Sequence, residues 1–416
     1  MRYVPAIAAG RLARAAARLR KPGGGSAVPG LVVDRLAPGY LERTLASFPD
    51  GLVVVSGSSG KSTTTKMLVA VLRAHGLEVF TNGSTANIRQ GLISALVEAS
   101  DLRGRVPGDV AVLEMDEGHG ARIMQGLSAR VVSLTNVMVD QIDRFFDSEM
   151  VASMLGRIAG RATEAVVLNA DDGYLAALPI PAGVASRRFG VAPEVMAAAP
   201  RGLGYARTVP ERLAQGEGVR VEAVSARGAV LADGSARVEL RLPASGTHYA
   251  VDAAGAYATA QAVLGDRFRP ETAVEAFAAL PPVFGRGERV RVRGQEVEFV
   301  LVQNPASLQL NVDGIEPGTE QILFAIGSDV RDPSYLWPAR LSGLRRVEIV
   351  SGSKAEEAAL MLAYDGVEIG RVEPELGRAI DEFLALPEPA SGVKTIVFSA
   401  DAMRRTRAHL GLTEAG

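Results

Sequence analysis

The chain has 416 residues, of which 47% are hydrophobic, and its formal net charge is −2. Its length predicts two or three domains with substantial cores, and the nearly neutral balance excludes a broad electrostatic attraction to nucleic acid. Because the chain contains no cysteine, disulfides, thiolate catalysis and cysteine-ligated zinc are also excluded.

The first 21 residues predict a basic amphipathic helix that ends before a glycine-rich stretch. Arg11, Arg14, Arg18 and Arg20 interrupt its alanine-rich sequence, so the segment lacks the uncharged core of a signal peptide. The simpler interpretation is a helix packed on the following domain, and the alternative is weak contact with an anionic membrane surface. Because no apolar run in the sequence approaches about 18 residues, we predict no membrane span and expect a cytoplasmic protein.

Residues 52–65 predict a phosphate-binding loop between a buried strand and a helix. Leu52 to Val55 form an uninterrupted apolar run, and apolar residues at helical spacing follow the loop. A glycine turn at this junction directs backbone N–H groups and a helix N-terminus towards one anion. Lys61 is then expected to reach the β- and γ-phosphates of a nucleotide, and the Ser62 hydroxyl to bind Mg²⁺. The predicted nucleotide-binding residues of the loop are Gly57, Ser58, Ser59, Gly60, Lys61, Ser62 and Thr63.

Strand and helix signals alternate from residue 51 to about 180, which is typical of a parallel sheet covered on both faces. Ligands bind at the carboxyl ends of such strands, and polar residues follow each predicted strand. Any one of them is explained equally well by turn or cap chemistry, but their recurrence at corresponding strand ends favours a site. The predicted segments are 52–55, 77–82, 109–117, 129–136 and 165–172, and their polar ends are Thr81, Asn82, Glu114, Asp116, Glu117, Thr135, Asn136, Asn169, Asp171 and Asp172.

The second half of the chain predicts a β-rich insert and then a smaller α/β domain. Short segments rich in glycine, alanine and arginine at about 183–252 predict β-hairpins inserted in the first domain. A hinge is predicted at 281–288, and we expect the active site in the cleft between two α/β domains. Helices are predicted at 255–265 and 270–279, and the later strands at 297–305, 321–329, 345–353 and 395–403. The predicted divisions are a lead-in of residues 1–45, a parallel-sheet ATP-binding domain of residues 46–290 and a C-terminal α/β domain of residues 291–416.

At this point the motifs resemble the Mur ligase family over nearly the full length, and within it the MurT subunits of bacterial lipid II isoglutaminyl synthases. The glutamine at position 141 is the most discriminating feature, because other Mur ligases usually carry histidine there. The matching motifs are Pro29-Gly30, Gly57–Thr65, Thr81-Asn82 with Asn87 and Gly91, Glu114–Glu117, Thr135-Asn136, Asp140–Arg144, Asn169–Asp172, Phe284-Gly285-Arg286-x-Glu288 and Leu301-Val302-x-Asn304-Pro305-Ala306.

The resemblance implies a ligase that uses ATP and Mg²⁺ to activate a carboxylate as an acyl phosphate and then joins it to an amine or ammonia. It implies that Lys61, Glu114 and Arg286 are catalytic, and that Ser62 and Glu114 are ligands of the hard Mg²⁺ cation. A guanidinium suits bidentate contact with phosphate. Further nucleotide contacts are implied for Asn136, Asn169, Asp172 and Arg286, and substrate or partner contacts for Asp116, Glu117, Asp140, Gln141, Asp143, Asp329 and Asp332. The implied partner is a class I glutaminase subunit of the GatD type, and the implied substrate is a small or lipid-linked carboxylate.

The sequence departs from this family in four places, one of which is the family's asparagine-containing nucleotide motif, replaced here by residues 255–260. The family's four-cysteine zinc ribbon is absent, so no zinc is expected, and no lysine lies between Lys66 and Lys354 to be carbamylated at the metal site. The family pattern D-G-x-D-x-S-W-x-W-D aligns with residues 329–338, where Tyr335 and Pro338 replace tryptophan and aspartate.

These departures leave two ligase reactions open: amidation in the manner of the family, or joining of another carboxylate and amine in a biosynthetic pathway. A non-catalytic nucleotide-binding scaffold is disfavoured, because Lys61, Ser62, Glu114 and Arg286 are all present. Among the four histidines, His119 alone is expected near the site.

Overall fold

Uninterrupted apolar runs form the inner strands of two largely parallel sheets in the computed structural model of the chain. The structure describes residues 3–20, 27–83, 88–138, 147–199, 202–209, 213–214, 216–225, 227–243, 246–281, 286–302, 304–315, 318–330, 336–337, 339–341 and 343–412. No helix within these residues is long and apolar enough to cross a membrane.

The first sheet has nine strands. They are β1 (Leu52–Ser56), β2 (Val79–Thr81), β3 (Val110–Glu114), β4 (Ala129–Leu134), β5 (Ala162–Asn169), β6 (Ala185–Val191), β7 (Val219–Ser225), β8 (Gly228–Asp233) and β9 (Ala236–Arg241). Their order is β2-β3-β1-β4-β5-β6-β7-β8-β9, with parallel pairing as far as β7 and antiparallel pairing from β7 to β9. Strand β1 therefore lies between β3 and β4. Strands β2 and β3 lie on one side of it, and β4 to β9 lie on the other.

Helices cover both faces of this sheet, because successive side chains of a strand point to opposite faces. Val53 and Val55 of β1 pack in one apolar cluster, and Leu52 and Val54 pack in another. The first cluster includes residues of α4 (Lys61–Ala74), α10 (Thr247–Leu264) and α11 (Pro270–Ala278). The second includes residues of α1 (Val4–Arg20), α2 (Val28–Leu36), α3 (Tyr40–Leu45), α5 (Arg89–Ala99), α6 (Glu117–Ile123) and α7 (Ser148–Ala159). Two short helices, α8 (Gly173–Ala176) and α9 (Pro193–Ala197), complete the first domain.

The second sheet has six strands. They are β10 (Arg286–Val292), β11 (Gln295–Leu301), β12 (Ile322–Ala325), β13 (Arg346–Ser351), β14 (Glu368–Glu373) and β15 (Lys394–Phe398), in the order β10-β11-β15-β12-β13-β14. Only β10 and β11 pair antiparallel. The helices of this domain are α12 (Pro305–Asp313), α13 (Ala355–Tyr364), α14 (Leu376–Ala385) and α15 (Ala400–His409). A buried ion pair between Glu288 of β10 and Arg407 of α15, at 3.0 Å, joins the first strand to the last helix.

The β-hairpins predicted at about 183–252 are present in part of that region. Strand β6 pairs parallel with β5, and β7 pairs parallel with β6, so this region extends the central sheet, and only β7 to β9 form hairpins. Helix α10 begins at Thr247, eight residues before the predicted helix at 255–265. Its small residues pack tightly on the sheet: a side chain at Gly255 would lie 3.0 Å from the Phe189 ring.

The predicted domain boundary at residue 290 also differs from the structure. Strand β10 already belongs to the second sheet from Arg286, where its backbone lies opposite Val300 of β11. Half of the predicted hinge, residues 282–285, lies outside the described residues.

Candidate active site

The candidate active site lies at the carboxyl ends of β1, β3 and β4. This is the position at which a parallel sheet of this topology presents its loops to a ligand. The loop of residues 57–60 leaves β1 there and leads into α4, as the sequence predicts. Its neighbours are the ends of β3 and β4, which pair with β1 on either side.

Two glycines give this loop its shape. Gly57 has a φ of 137° and Gly60 a φ of 79°, values that favour glycine. A side chain at Gly57 would overlap the Thr135 hydroxyl, and one at Gly60 would overlap the Asp252 carboxylate. The two glycines thus allow α4, a helix of 14 residues, to begin directly beside the neighbouring strand ends. The first N–H groups of such a helix have no partners within the helix and attract anions.

The ammonium group of Lys61 lies over this loop. Its Nζ donates to the carbonyl oxygens of Gly57 and Ser58, the latter at 3.1 Å, and lies 3.5 Å from a carboxylate oxygen of Glu117. Glu117 is only 2% exposed. The structure therefore brings the predicted catalytic cation and one predicted substrate-contacting carboxylate into direct contact.

The end of β4 holds the loop in place through Thr135 and Asn136. The Asn136 carbonyl accepts from the Ser58 N–H at 2.9 Å, and its side-chain oxygen accepts from the Ser59 N–H at 2.9 Å. The Asn136 amide in turn donates to the Ser59 carbonyl at 3.1 Å, and the Thr135 hydroxyl donates to the same carbonyl at 2.6 Å. The N–H groups of Ser58 and Ser59 and the Asn136 side chain are thus engaged in hydrogen bonds within the protein. The amides that suit an anion are those at the start of α4.

Asn169 and Asp172 support the end of β4 from the next strand. The Asn169 amide donates to the Thr135 carbonyl at 3.0 Å, and an Asp172 oxygen accepts from the Val137 N–H at 2.6 Å. The other Asp172 oxygen accepts from two N–H groups at the start of α8. Both side chains are fully buried, and burial raises the pKa of the Asp172 carboxyl to about 6. In this structure Asn169 and Asp172 hold residues 135–137 in place, and Thr135 and Asn136 in turn hold the loop of residues 57–60. Contact of Asn169 and Asp172 with a nucleotide stays a prediction.

The end of β3 contributes carboxylates. The Glu114 backbone exchanges two hydrogen bonds with the Asn82 side chain, at 2.9 and 3.0 Å, which ties the end of β3 to the end of β2. Asp116 caps α6 by accepting from the N–H groups of Gly118 and His119 at 3.1 and 3.0 Å. Glu114 and Asp116 are each 6% exposed. The structure thus places Glu114 at the end of β3 and Asp116 at the cap of α6, next in sequence to Glu117, which contacts Lys61.

The donor set fits Mg²⁺ bound together with nucleotide phosphates. Ser62 lies in the first turn of α4 and Glu114 ends the adjacent strand β3. Within the described residues, no group of three or more histidine and carboxylate side chains is arranged to hold a metal alone. Mg²⁺ usually binds one or two protein oxygens, with phosphate and water supplying the rest. Ser62 and Glu114 are suitable ligands on this pattern.

A small cavity of about 50 Å³ continues from the loop into the space between the two domains. The first domain contributes Tyr205, His248 and Asp252, and the second contributes Ser307 and Asn311 of α12. The sequence analysis did not predict Tyr205, His248 or Asp252 at the site, and among the histidines it expected only His119 there. His248 and Asp252 are one turn apart on α10, and this spacing would have indicated a shared face if the start of the helix had been recognised.

The remaining predicted residues fall in two groups. Asp329 follows β12 and accepts from the Ser399 hydroxyl at 2.7 Å, so it lies at the strand ends of the second domain. Arg286 begins β10, but its side chain lies outside the described part of the structure. The predicted residues that lie wholly outside the described residues are Asp140, Gln141, Asp143 and Asp332.

Comparisons with known proteins agree with this architecture. Residues 55–203 match the Mur ligase middle domain family. The chain is 30% identical over 180 residues to MurT, a subunit of the glutamine-hydrolysing lipid II isoglutaminyl synthase, of Staphylococcus aureus strain COL, and this match covers 43% of the chain and 40% of that protein. It is 25% identical over 384 residues to MurT of Streptococcus pneumoniae, covering 84% of each chain.

Among solved structures, MurF ligase from Thermotoga maritima in complex with ADP superposes with a TM-score of 0.69 at 17% identity. That superposition covers 92% of this chain and 83% of MurF. The matches confirm the predicted resemblance to Mur ligases, and the superposition confirms the predicted α/β fold. The aligned part spans less than half the length of the S. aureus relative.

Proposed function

Because residues 55–203 match the Mur ligase middle domain family, we propose that this chain is an ATP-dependent ligase that forms an amide bond. The observation that carries the proposal is the placement of Lys61, at the start of α4, beside the carboxylate of Glu117, three residues after the end of β3. A scaffold that only bound nucleotide would not need acidic groups around the transferred phosphate.

In the proposed reaction, a substrate carboxylate oxygen attacks the γ-phosphorus of ATP, and ADP leaves with the electrons of the broken bond. The nitrogen of an amine or ammonia then attacks the acyl carbon, phosphate leaves, and the nitrogen loses a proton. Lys61 neutralises charge on the transferred phosphoryl group, and the N-terminus of α4 holds phosphate oxygens. Ser62 and Glu114 would hold Mg²⁺, which when bound supplies further charge neutralisation at the phosphates. Arg286 serves as a second cation for the phosphates.

We propose that the nucleotide base binds at the cavity between the domains, which at about 50 Å³ has to widen to receive it. Leu203 and Val251 give it apolar walls, and Tyr205, His248 and Asp252 add polar groups. This mixture is usual for sites that bind a flat heterocycle. Since the cavity is lined from both domains, nucleotide binding is expected to hold the domains together.

The MurT relatives support one proposal for the substrate. Their names describe a lipid II isoglutaminyl synthase that hydrolyses glutamine, which supports amidation of a peptidoglycan-precursor carboxylate with a GatD-like glutaminase as partner, in the cytoplasm. The second candidate is ligation of another carboxylate and amine in a biosynthetic pathway. It is favoured by Tyr335 and Pro338, which stand where the family pattern has tryptophan and aspartate.

The first test measures ADP release by the purified chain with Mg·ATP, a carboxylate substrate and ammonia. Lys61→Ala should abolish turnover, because it removes the cation nearest the transferred phosphate. Lys66→Ala is the matched control, since Lys66 is an exposed lysine on the same helix. Equal turnover in both variants would refute the assigned role of Lys61.

The second test separates the two candidate reactions. If the chain amidates lipid II with glutamine when a glutaminase subunit is added, the MurT-like reaction is supported. We expect weaker glutamine-dependent activity than in the family, because Pro338 lacks the carboxylate found there. Activity with ammonia or an amine on another carboxylate, without any glutaminase, would support the biosynthetic alternative. Nucleotide binding without turnover on any carboxylate would leave the scaffold interpretation.

A further inference from the structure

Two helices at the start of the chain leave large apolar side chains in solvent. Helix α1 exposes Leu12 by 70%, and the exposed residues Val4 and Ala8 precede it at four-residue spacing on the same side of the helix. Helix α2 exposes Leu31 by 60% and Leu36 by 59%. Exposed apolar residues grouped in this way mark contact surfaces more often than isolated ones do. We refer to residues 4–20 and 28–36 as the N-terminal helix pair.

The inward sides of the N-terminal helix pair are already occupied. A side chain at Gly10 of α1 would lie 2.8 Å from a methyl group of Val33 of α2, so the two helices pack in close contact. Arg11 donates to carbonyl groups at the end of α5, and Arg14 pairs with Glu98 at 2.6 Å. The helices are thus fixed to the domain by one side, and the leucines point away from these contacts.

The charge of this region differs from that of the rest of the chain. Residues 1–45 contain eight lysines and arginines and two acidic residues, a net charge of +6, whereas the whole chain has −2 and the remainder therefore −8. A second copy of the chain would bring two such positive regions together, which disfavours self-association through this face. An apolar stripe within a cationic region complements an anionic surface with an apolar interior.

We propose that the N-terminal helix pair binds the surface of an anionic phospholipid bilayer. The leucines enter the boundary between headgroups and acyl chains, and Arg35, which is exposed on α2 one turn after Leu31, contacts lipid phosphates. The helices lie on the membrane, since none of the described helices can cross it. This inference goes beyond the proposed ligase function and does not depend on it, because the surface is separate from the nucleotide site.

The test is cosedimentation of the full chain with vesicles of phosphatidylglycerol and phosphatidylcholine, at low and high salt. The chain should bind these vesicles, lose binding at high salt, and bind pure phosphatidylcholine vesicles more weakly. The variant with both Leu12→Glu and Leu31→Glu should bind at least about tenfold more weakly. Leu360→Glu is the control: Leu360 is 59% exposed, on α13 of the other domain, and its replacement should leave binding unchanged. Thermal unfolding verifies that each variant is folded.

Three results would overturn the proposal. One is an absence of binding to anionic vesicles at low salt, and another is unchanged binding by the double variant. The third is concentration-dependent self-association, measured by sedimentation velocity, that the double variant abolishes. ATP binding measured on the same samples distinguishes this failure from failure of the ligase proposal, because the two surfaces are tested separately.

Discussion

Replacing Gly60 with alanine should destabilise the protein more than replacing a glycine of the same conformation elsewhere. Gly60 has a φ of 79°, where a side chain costs about 1 to 2 kcal/mol. The added methyl group would also overlap the Asp252 carboxylate and lie 3.0 Å from its Cγ. Asp252 is 6% exposed, so relief requires movement of α10, and crowding of this kind costs about 1 to 3 kcal/mol. We expect the free energy of unfolding to fall by about 2 to 5 kcal/mol in total.

Urea unfolding of the wild type and four variants separates the two contributions. Gly76→Ala is the control, since Gly76 has a φ of 85° and an added side chain would meet no atom within 4 Å. Gly76→Ala should lower the free energy of unfolding by about 1 to 2 kcal/mol, which is the cost of a side chain at a positive φ alone. In an Asp252→Ala background, Gly60→Ala should cost no more than Gly76→Ala does, because the crowded carboxylate is gone. Nucleotide binding by Gly60→Ala should weaken in parallel, since the loop and α10 both shift.

Two outcomes would refute this reasoning. Equal losses for Gly60→Ala and Gly76→Ala would mean that the loop accommodates a methyl group without pressing on α10. An unchanged cost in the Asp252→Ala background would mean that Asp252 is not the residue that restricts Gly60.

The remaining predictions concern buried charges and metal content. Because burial raises the pKa of the Asp172 carboxyl to about 6, from about 3.9 in an unfolded chain, the native state holds this proton more tightly. Its contribution to the free energy of unfolding should therefore fall by on the order of 2 kcal/mol between about pH 4 and pH 6, and urea titrations of Asp172→Asn should lack this step. Lys394→Met should destabilise by about 2 to 4 kcal/mol, because the buried ammonium donates to the carbonyls of Leu384 and Leu386 and to Gln295; thermal unfolding equal to wild type would contradict this. Elemental analysis after dialysis should find no stoichiometric zinc, since the chain has no cysteine and structural zinc sites depend mainly on thiolates.

The strands that surround the site could be predicted because their burial produces a simple pattern. All five residues of β1 and of β3 are buried, so each reads as a continuous apolar run that ends at a polar residue. The loop after β1 was likewise predictable, because glycine, lysine and serine occur there in an order that few other structures require. Parallel strands buried on both faces are thus the easiest part of this fold to read.

Strands with exposed faces were not predictable in the same way. Strand β10 reads RGERVRV and β14 reads EIGRVE, and both lie at the edges of the second sheet. The first half of β6 is exposed, with Arg187 and Arg188 in it, so its parallel pairing leaves little apolar signal. The start of α10 was missed because THYAVD mixes polar and apolar residues without helical spacing, and His248 and Asp252 were missed with it.

For Asn169 and Asp172, the role predicted from the sequence differs from the contacts that the structure shows. Asn169 and Asp172 were recognised as polar strand ends, but a sequence does not reveal whether such a residue points to a ligand or braces a neighbouring loop. Here the hydrogen bonds of both residues go to the chain itself.

The order of strands in the second sheet has a consequence for synthesis on the ribosome. Strand β15 lies between β11 and β12, although it follows the other five strands of this sheet in the sequence. Until residues 394–398 have emerged from the ribosome, β11 pairs only with β10, and β12 pairs only with β13. The partner of Glu288 in the buried ion pair, Arg407, emerges later still. The second domain therefore completes its sheet only after residues 394–398 have been translated, whereas the strands of the first domain are all available well before. A chain cut short before residue 394 is expected to keep a folded nucleotide-binding half and to expose the unpaired edges of β11 and β12, which would make it prone to aggregation and degradation.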